Sequence, residues 1–196
     1  MKKFLFALLA LMILSATTAA AKPVRIARLP IIFQSTIPDE ETRAELEVKI
    51  SLATHIPMNQ TLQVAEYLPT EESTRVMNEI WQKMRAADKK AKIQDAMKPL
   101  ARELNADIII CPILRQYTQN SSFGATPSGE TFIYSHVRAE LIIYDRRTDN
   151  LIDKKATQFY RDAYTSFGTA SYLSKVCFDK LIDATKLRQM IFAIGR

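Results

Sequence analysis

Leu100-Ala-Arg-Glu-Leu-Asn-Ala-Asp-Ile-Ile-Ile-Cys-Pro-Ile-Leu114 carries a helix end through one turn into an apolar strand. Ile108, Ile109 and Ile110 are consecutive β-branched residues, and Cys111, Ile113 and Leu114 extend the run without polar alternation. A strand of this kind needs cover on both faces and therefore belongs at the centre of a sheet. Upstream, Ile93, Met97, Leu100, Ala101 and Leu104 recur at the spacing of one helical face, which packs that helix on the sheet. Asn105 tolerates the left-handed backbone that ends many helices, and Ala106-Asp107 complete the turn. The stretch is an αβ unit of a layered α/β domain.

Working outward, Val24 to Pro30 reads as a short first strand closed by a proline that cannot donate to a ladder. Pro38-Asp39-Glu40-Glu41 has the acidic first turn of a helix. Between residues 40 and 54, helix and strand both stay open. Ala44, Leu46, Val48, Ile50 and Leu52 alternate with polar residues, which favours a strand for the second half. Thr61 to Leu68 is a further weak strand. Pro69 to Ser73 starts a helix whose Val76, Met77, Ile80, Trp81 and Met84 form an apolar face, with Trp81 as a core anchor. Pro99 inside the next helical pattern predicts a kink or a fresh first turn.

Downstream, the polar composition of Tyr117 to Thr131 predicts a long loop. Phe132 to Tyr144 and Leu151 to Arg161 read as two strands joined through Asp145 to Asn150, a C-terminal antiparallel hairpin with one wetter face on which Arg138 and Glu140 sit. A helix after Gly168 carries Leu173, Val176, Cys177, Leu181 and Ile182 as its stripe. The expected fold is α/β (α+β): a single layered domain over residues 22–196, with a mixed sheet packed by helices.

Residues 1–21 stand apart. Lys2 and Lys3, the eleven-residue apolar run Phe4 to Leu14 and Ala19-Ala20-Ala21 make the three regions of a secretory signal peptide. The run is shorter than the roughly 20 residues that cross a bilayer, so a transmembrane anchor is not expected. No cysteine follows it for lipid attachment, and the processed chain is expected to be soluble and exported, periplasmic or extracellular. The chain has 27 Lys and Arg against 21 Asp and Glu, and loss of Lys2 and Lys3 lowers the net charge from +6 to +4. That mild excess does not point to nucleic acid.

Residues that carry chemistry are sparse. His55 and His136 have no partner at a metal-ligand spacing, and His136 with Ser135 or Asp145 lacks a nucleophile elbow. Glycine-rich phosphate loops are absent, so no cofactor is expected. Cys111 on the central strand and Cys177 on the late helix are either a disulfide, which export permits, or two buried thiols. Phe159, Tyr160, Tyr164, Phe167 and Tyr172 are either core or a contact surface.

Three segments, Val24 to Pro30, Leu100 to Ile109 and Leu141-Ile-Ile-Tyr-Asp-Arg-Arg-Thr148, occur in an order that resembles a known domain type. It is the small α/β domain of bacterial envelope proteins found at the N-terminus of the TolB translocation protein and in the CsgG curli-secretion family. The likeness spans residues 24–165. It departs where Asp149-Asn150 stands in place of the family's glycine after the turn threonine. The resemblance implies a stand-alone envelope module that works by binding, and transfers no catalytic residue.

The expected function is thus an exported, non-enzymatic envelope module that binds another cell-envelope protein, by a free sheet edge or by the 117–131 segment. Tyr117, Phe123, Tyr160 and Tyr164 are the candidate contacts. The alternative is a binding protein for a small or polymeric anionic envelope ligand held by Arg115, Arg138, Lys154 and Lys155. The oligomeric state is not written in these features.

Overall fold

A computed structural model describes residues 22–55, 65–123 and 130–194. The signal-peptide segment, residues 61–64 of the weak strand, and residues 124–129 lie outside the described residues. The elements in chain order are β1 Val24–Arg28, β2 Ile32–Phe33, α1 Glu40–Thr54, β3 Ala65–Tyr67, α2 Thr70–Ala87 and α3 Ile93–Glu103. Then come β4 Ile108–Phe123, β5 Thr131–Asp145, β6 Asn150–Ala163, a single 3₁₀ turn Ser166–Gly168, α4 Ala170–Thr185 and α5 Leu187–Ile194.

One mixed sheet runs β3-β1-β4-β5-β6, with β2 continuing beside β4 where β1 stops. β1 is parallel to β3 and β4, whereas β4–β5 and β5–β6 are antiparallel. The apolar run of β4 is central and its two faces feed different cores. Ile108, Ile110 and Leu114 join Leu46 and Ile50 of α1, Leu173, Cys177, Phe178 and Leu181 of α4, and Ile191 of α5. Ile109, Cys111 and Ile113 join Met77 of α2 and Ala96, Met97 and Leu100 of α3. The layers are helices, sheet, helices, as an unalternated strand demands. Fully buried side chains such as Phe178 each contribute about 1.5–3 kcal/mol by leaving water.

The turn between α3 and β4 is where the sequence placed it. Asn105 is left-handed at φ 47°, and the Ala106 N–H donates to the Ala101 carbonyl at 2.9 Å. Asp107 then ties three strands together. Its Oδ2 accepts from the Arg25 backbone at 3.0 Å, and its Oδ1 pairs with Arg146 at 3.1 Å. Asp107 therefore has a structural role. Pro99 lies inside α3, on its exposed side, and the helix runs through it.

Two expectations are corrected. Residues 40–54 form α1, not a strand: Asp39 caps it by accepting from the Thr42 N–H at 2.8 Å, and Leu46 and Ile50 point inward at helical spacing. Val48 and Leu52, which completed the apparent alternation, are 56% and 62% exposed. The segment from Tyr117 is not a long loop, because β4 continues to Phe123 and stays in ladder with β5 until Phe123 faces Thr131. Its polar composition reflects a sheet region without helical cover on one face rather than a break in pairing.

Of the two alternatives for the cysteines, the structure holds the pair of buried thiols. Cys111 and Cys177 are both free and buried, Cys111 among the α3-side core residues and Cys177 among those on the α4 side. Alternation along β4 turned Cys111 away from the late helix.

Candidate functional site

A β-bulge builds the first site. Leu114 faces Ala139 and Gln116 faces Arg138, so Arg115 is the extra residue on β4. Its guanidinium swings over β5, where Nε lies 2.5 Å from Glu140 Oε2 and Nη1 donates to Gln34 Oε1 at 2.6 Å. Glu140 is fully buried, contrary to its expected place on the wetter face. Its other oxygen accepts from Gln94 Nε2 at 2.8 Å, and the same amide donates to Asp153 Oδ2 at 3.0 Å. The hydrogen bond that Arg115 donates to Glu140 raises its already high pKa, so the guanidinium stays charged.

These groups floor an open cleft of about 800 Å³, walled by Trp81 and Arg85 of α2, Lys92 and Asp95 at the start of α3, and Asp153 and Lys155 of β6. Arg85 lies over the Trp81 ring at 5.8 Å. Lys155 sits 3.4 Å from Asp153, whose Oδ1 is buried without a hydrogen-bond partner among the described residues. The cleft offers cations, amides and carboxylates but no histidine or nucleophile. Of the four cations expected to hold an anion, Arg115 and Lys155 line it. Arg138 is further along the same sheet face, and Lys154 opposes Leu141 on the other face.

The second site is the far end of the sheet. Beyond the bulge, Thr118, His136 and Phe159 lie abreast on β4, β5 and β6, as do Asn120, Tyr134 and Arg161. This is the face that α3 covers at the other end, yet Tyr134 and Phe159 are 37% and 55% exposed. Phe159 meets the Tyr134 ring edge-on at 5.2 Å and the His136 ring at 6.1 Å. Around the same end, Tyr164 and Phe167 are exposed, and Phe167 packs edge-on against Tyr172 at 5.1 Å.

The candidate contacts divide accordingly. Tyr164 is open to solvent. Tyr160 is half-buried against the α4-side core and donates its hydroxyl to the Ala163 carbonyl at 2.9 Å. Tyr117 is also half-buried there, and burial raises its pKa. Phe123 ends β4, with its side chain outside the described residues. Sequence reasoning missed Tyr134, and no local signal distinguishes it from a core strand residue.

The residues weighed for catalysis are separated. Ser135 and His136 are strand neighbours on opposite faces, with Ser135 buried and His136 turned to Phe159. Asp145 sits at the far end of β5 and pairs with Arg147. His55 stacks on Tyr67 at 5.7 Å. Among the described residues no cluster of three or more histidine, cysteine or carboxylate groups could hold a metal.

No known family pattern matches the chain, and no curated protein matches it in sequence. Solved structures do resemble it. The PelC dodecamer from Paraburkholderia phytofirmans is 13% identical, covers 84% of this chain and 88% of its own, and gives a TM-score of 0.41. For lipoprotein GNA1162 from Neisseria meningitidis the identity is 16%, the coverage 82% and 99%, and the TM-score 0.37. For the LpoB C-terminal domain from Escherichia coli they are 8%, 81% and 93%, and 0.31. The chain is thus similar to these proteins across most of their length and distant from each in sequence and superposition.

Proposed function

We propose that the chain is an exported, non-enzymatic module of the bacterial cell envelope that binds a protein partner through the uncovered end of its sheet. The signal-like pattern of Lys2 to Ala21 supports export, and no helix among the described residues is long and apolar enough to cross a membrane. The observation that carries the reading is the exposed aromatic pair Tyr134 and Phe159, with Arg161 opposite Tyr134 on β6. Aromatic and arginine side chains are the usual anchors of protein interfaces, because they bury large area at low entropic cost.

The test is a photoreactive amino acid in living cells, placed at Phe159 and, as control, at exposed Arg75 on α2. Cross-linking of a discrete protein from position 159 and not from 75 supports the reading. Equal background from both ends it. The cation-lined cleft favours a second reading, capture of an anionic envelope ligand beside Arg115 and Lys155. Binding there must weaken as ionic strength rises through the range where the Debye length falls below about 10 Å; salt-insensitive binding removes it.

A further inference from the structure

β6 is paired on one side only: among the described residues no strand lies beyond it. Its fourteen residues make an edge of about 45 Å at about 3.4 Å per residue. The Tyr164 N–H donates to Thr131 O at 2.8 Å, so alternation turns the backbone groups of odd-numbered residues 151–163 away from β5. Two of those outward carbonyls are met by the chain's own side chains, Thr157 by Gln158 and Ala163 by Tyr160. The outward Ala163 N–H donates to Asp162 Oδ1 at 2.7 Å, and the other outward groups of the strand are open among the described residues. Lys154 and Lys155 lie on it, and lysines on an edge strand normally discourage pairing.

We infer that the edge pairs with a second copy of itself, antiparallel, with Thr157 opposite Thr157. A two-fold axis through the sheet keeps odd residues opposite odd ones, so the admissible registers differ by steps of two. In this one Asp153 faces Arg161 of the other copy, twice over, Lys155 faces Phe159, and on the reverse face Lys154 faces Tyr160. Both lysines therefore meet aromatic rings, and the charges on the odd face pair with opposite sign. Shifting the sum of the paired numbers up by two sets Lys155 against Arg161. Shifting it down by two sets Asp153 against Phe159 and Arg161 against Leu151.

Two observations within one chain fit the chosen register. The Asp153 side chain is 23% exposed, and Arg161 is exposed with no ion pair or hydrogen bond among the described residues. Arg161 lacks the anion that Asp153 supplies. The resulting assembly is a continuous sheet with β6 strands at its centre, and it covers part of the Phe159 surface while leaving Tyr164 and Phe167 beyond the paired segment.

The experiment uses the processed chain from Lys22. Light scattering after size exclusion is expected to give twice the chain mass at micromolar concentration. Thr157→Cys is expected to cross-link to itself with a short bis-maleimide, whereas Lys83→Cys on α2 is not. Arg161→Asp should weaken dimerisation at least tenfold, and Asp153→Arg with Arg161→Asp should restore it. A chain monomeric at high concentration overturns the inference, as does a charge-swapped pair that stays monomeric while its circular dichroism is native. A monomer that still cross-links another protein through Phe159 in cells sinks the dimer alone and leaves the partner-binding reading standing.

Discussion

Arg115 Nε and Glu140 Oε2 lie 2.5 Å apart on adjacent strands, and the glutamate has no exposed side-chain surface. A buried carboxylate is tolerated when its oxygens are paired, and here Arg115 and Gln94 take one each. Removing one charge leaves the other stranded. Arg115→Met is expected to destabilise by about 3 kcal/mol, the lower end for a buried pair because the arginine is partly solvated. Arg115→Met with Glu140→Met should recover most of that loss in urea unfolding. Equal instability of single and double variants would show that the pair contributes a net attraction.

Burial pushes the Cys111 thiol up to about 12 and the Cys177 thiol up to about 11. Thiolate is the reactive form, so neither group should react with an aromatic disulfide reagent in the native chain at pH 8. Two thiols per chain should appear once denaturant is added without reductant. Finding none would restore the disulfide and contradict the packing on opposite faces.

Asp39 and Asp149 are held below the ordinary 3.8, Asp39 chiefly by the Thr42 backbone N–H and Asp149 chiefly by Lys98, with Tyr144 second. A depressed native pKa means that the ionised carboxylate stabilises the fold above 3.8, and that this stabilisation disappears as pH falls through the native values. Asn keeps the cap at 39 and tolerates the left-handed backbone at 149, where φ is 51°. The variant Asp39→Asn, Asp149→Asn should therefore unfold with a shallower dependence on pH below 4, followed by circular dichroism. An unchanged acid limb would refute the assignment.

Gly168 closes the 3₁₀ turn against the face of the Tyr160 ring, where a Cβ would overlap ring carbons. Gly168→Ala should cost about 1–3 kcal/mol, the range for overpacking. Tyr160→Leu in the same chain should reduce that cost, since the coupling runs through the ring. Additive effects in thermal unfolding would place the constraint elsewhere.

Much of the architecture was legible because it rests on periodicity. Three consecutive isoleucines announced a central strand, Asn105 announced the turn before it, and Asp145 to Asn150 announced the hairpin. α1 was obscured because two outward apolar residues, Val48 and Leu52, mimic a strand's alternation when read without knowing what covers them. The polar half of β4 was obscured for the opposite reason: Thr118, Asn120 and Ser122 sit on a sheet face without helical cover and carry no apolar signal. Neither the bulge nor the burial of Glu140 has a local cue, since both depend on which residue of a neighbouring strand stands opposite. Tyr164 was found from composition, whereas Tyr134 needed the register.

The extra residue at 115 also shifts the phase of everything after it. Up to Leu114 the even positions of β4 look toward α4; from Tyr117 onward the odd ones do. Loss of that single residue would seat Gln116 directly after Leu114 in an unbroken ladder, with every later residue keeping its partner on β5 and its side of the sheet. Gln119, whose side chain receives the first N–H of α4 at 2.8 Å, would stay beneath that helix. Descendants of this chain can therefore shed the bulge without disturbing the far end of the sheet, and what they forfeit is the cation over Glu140.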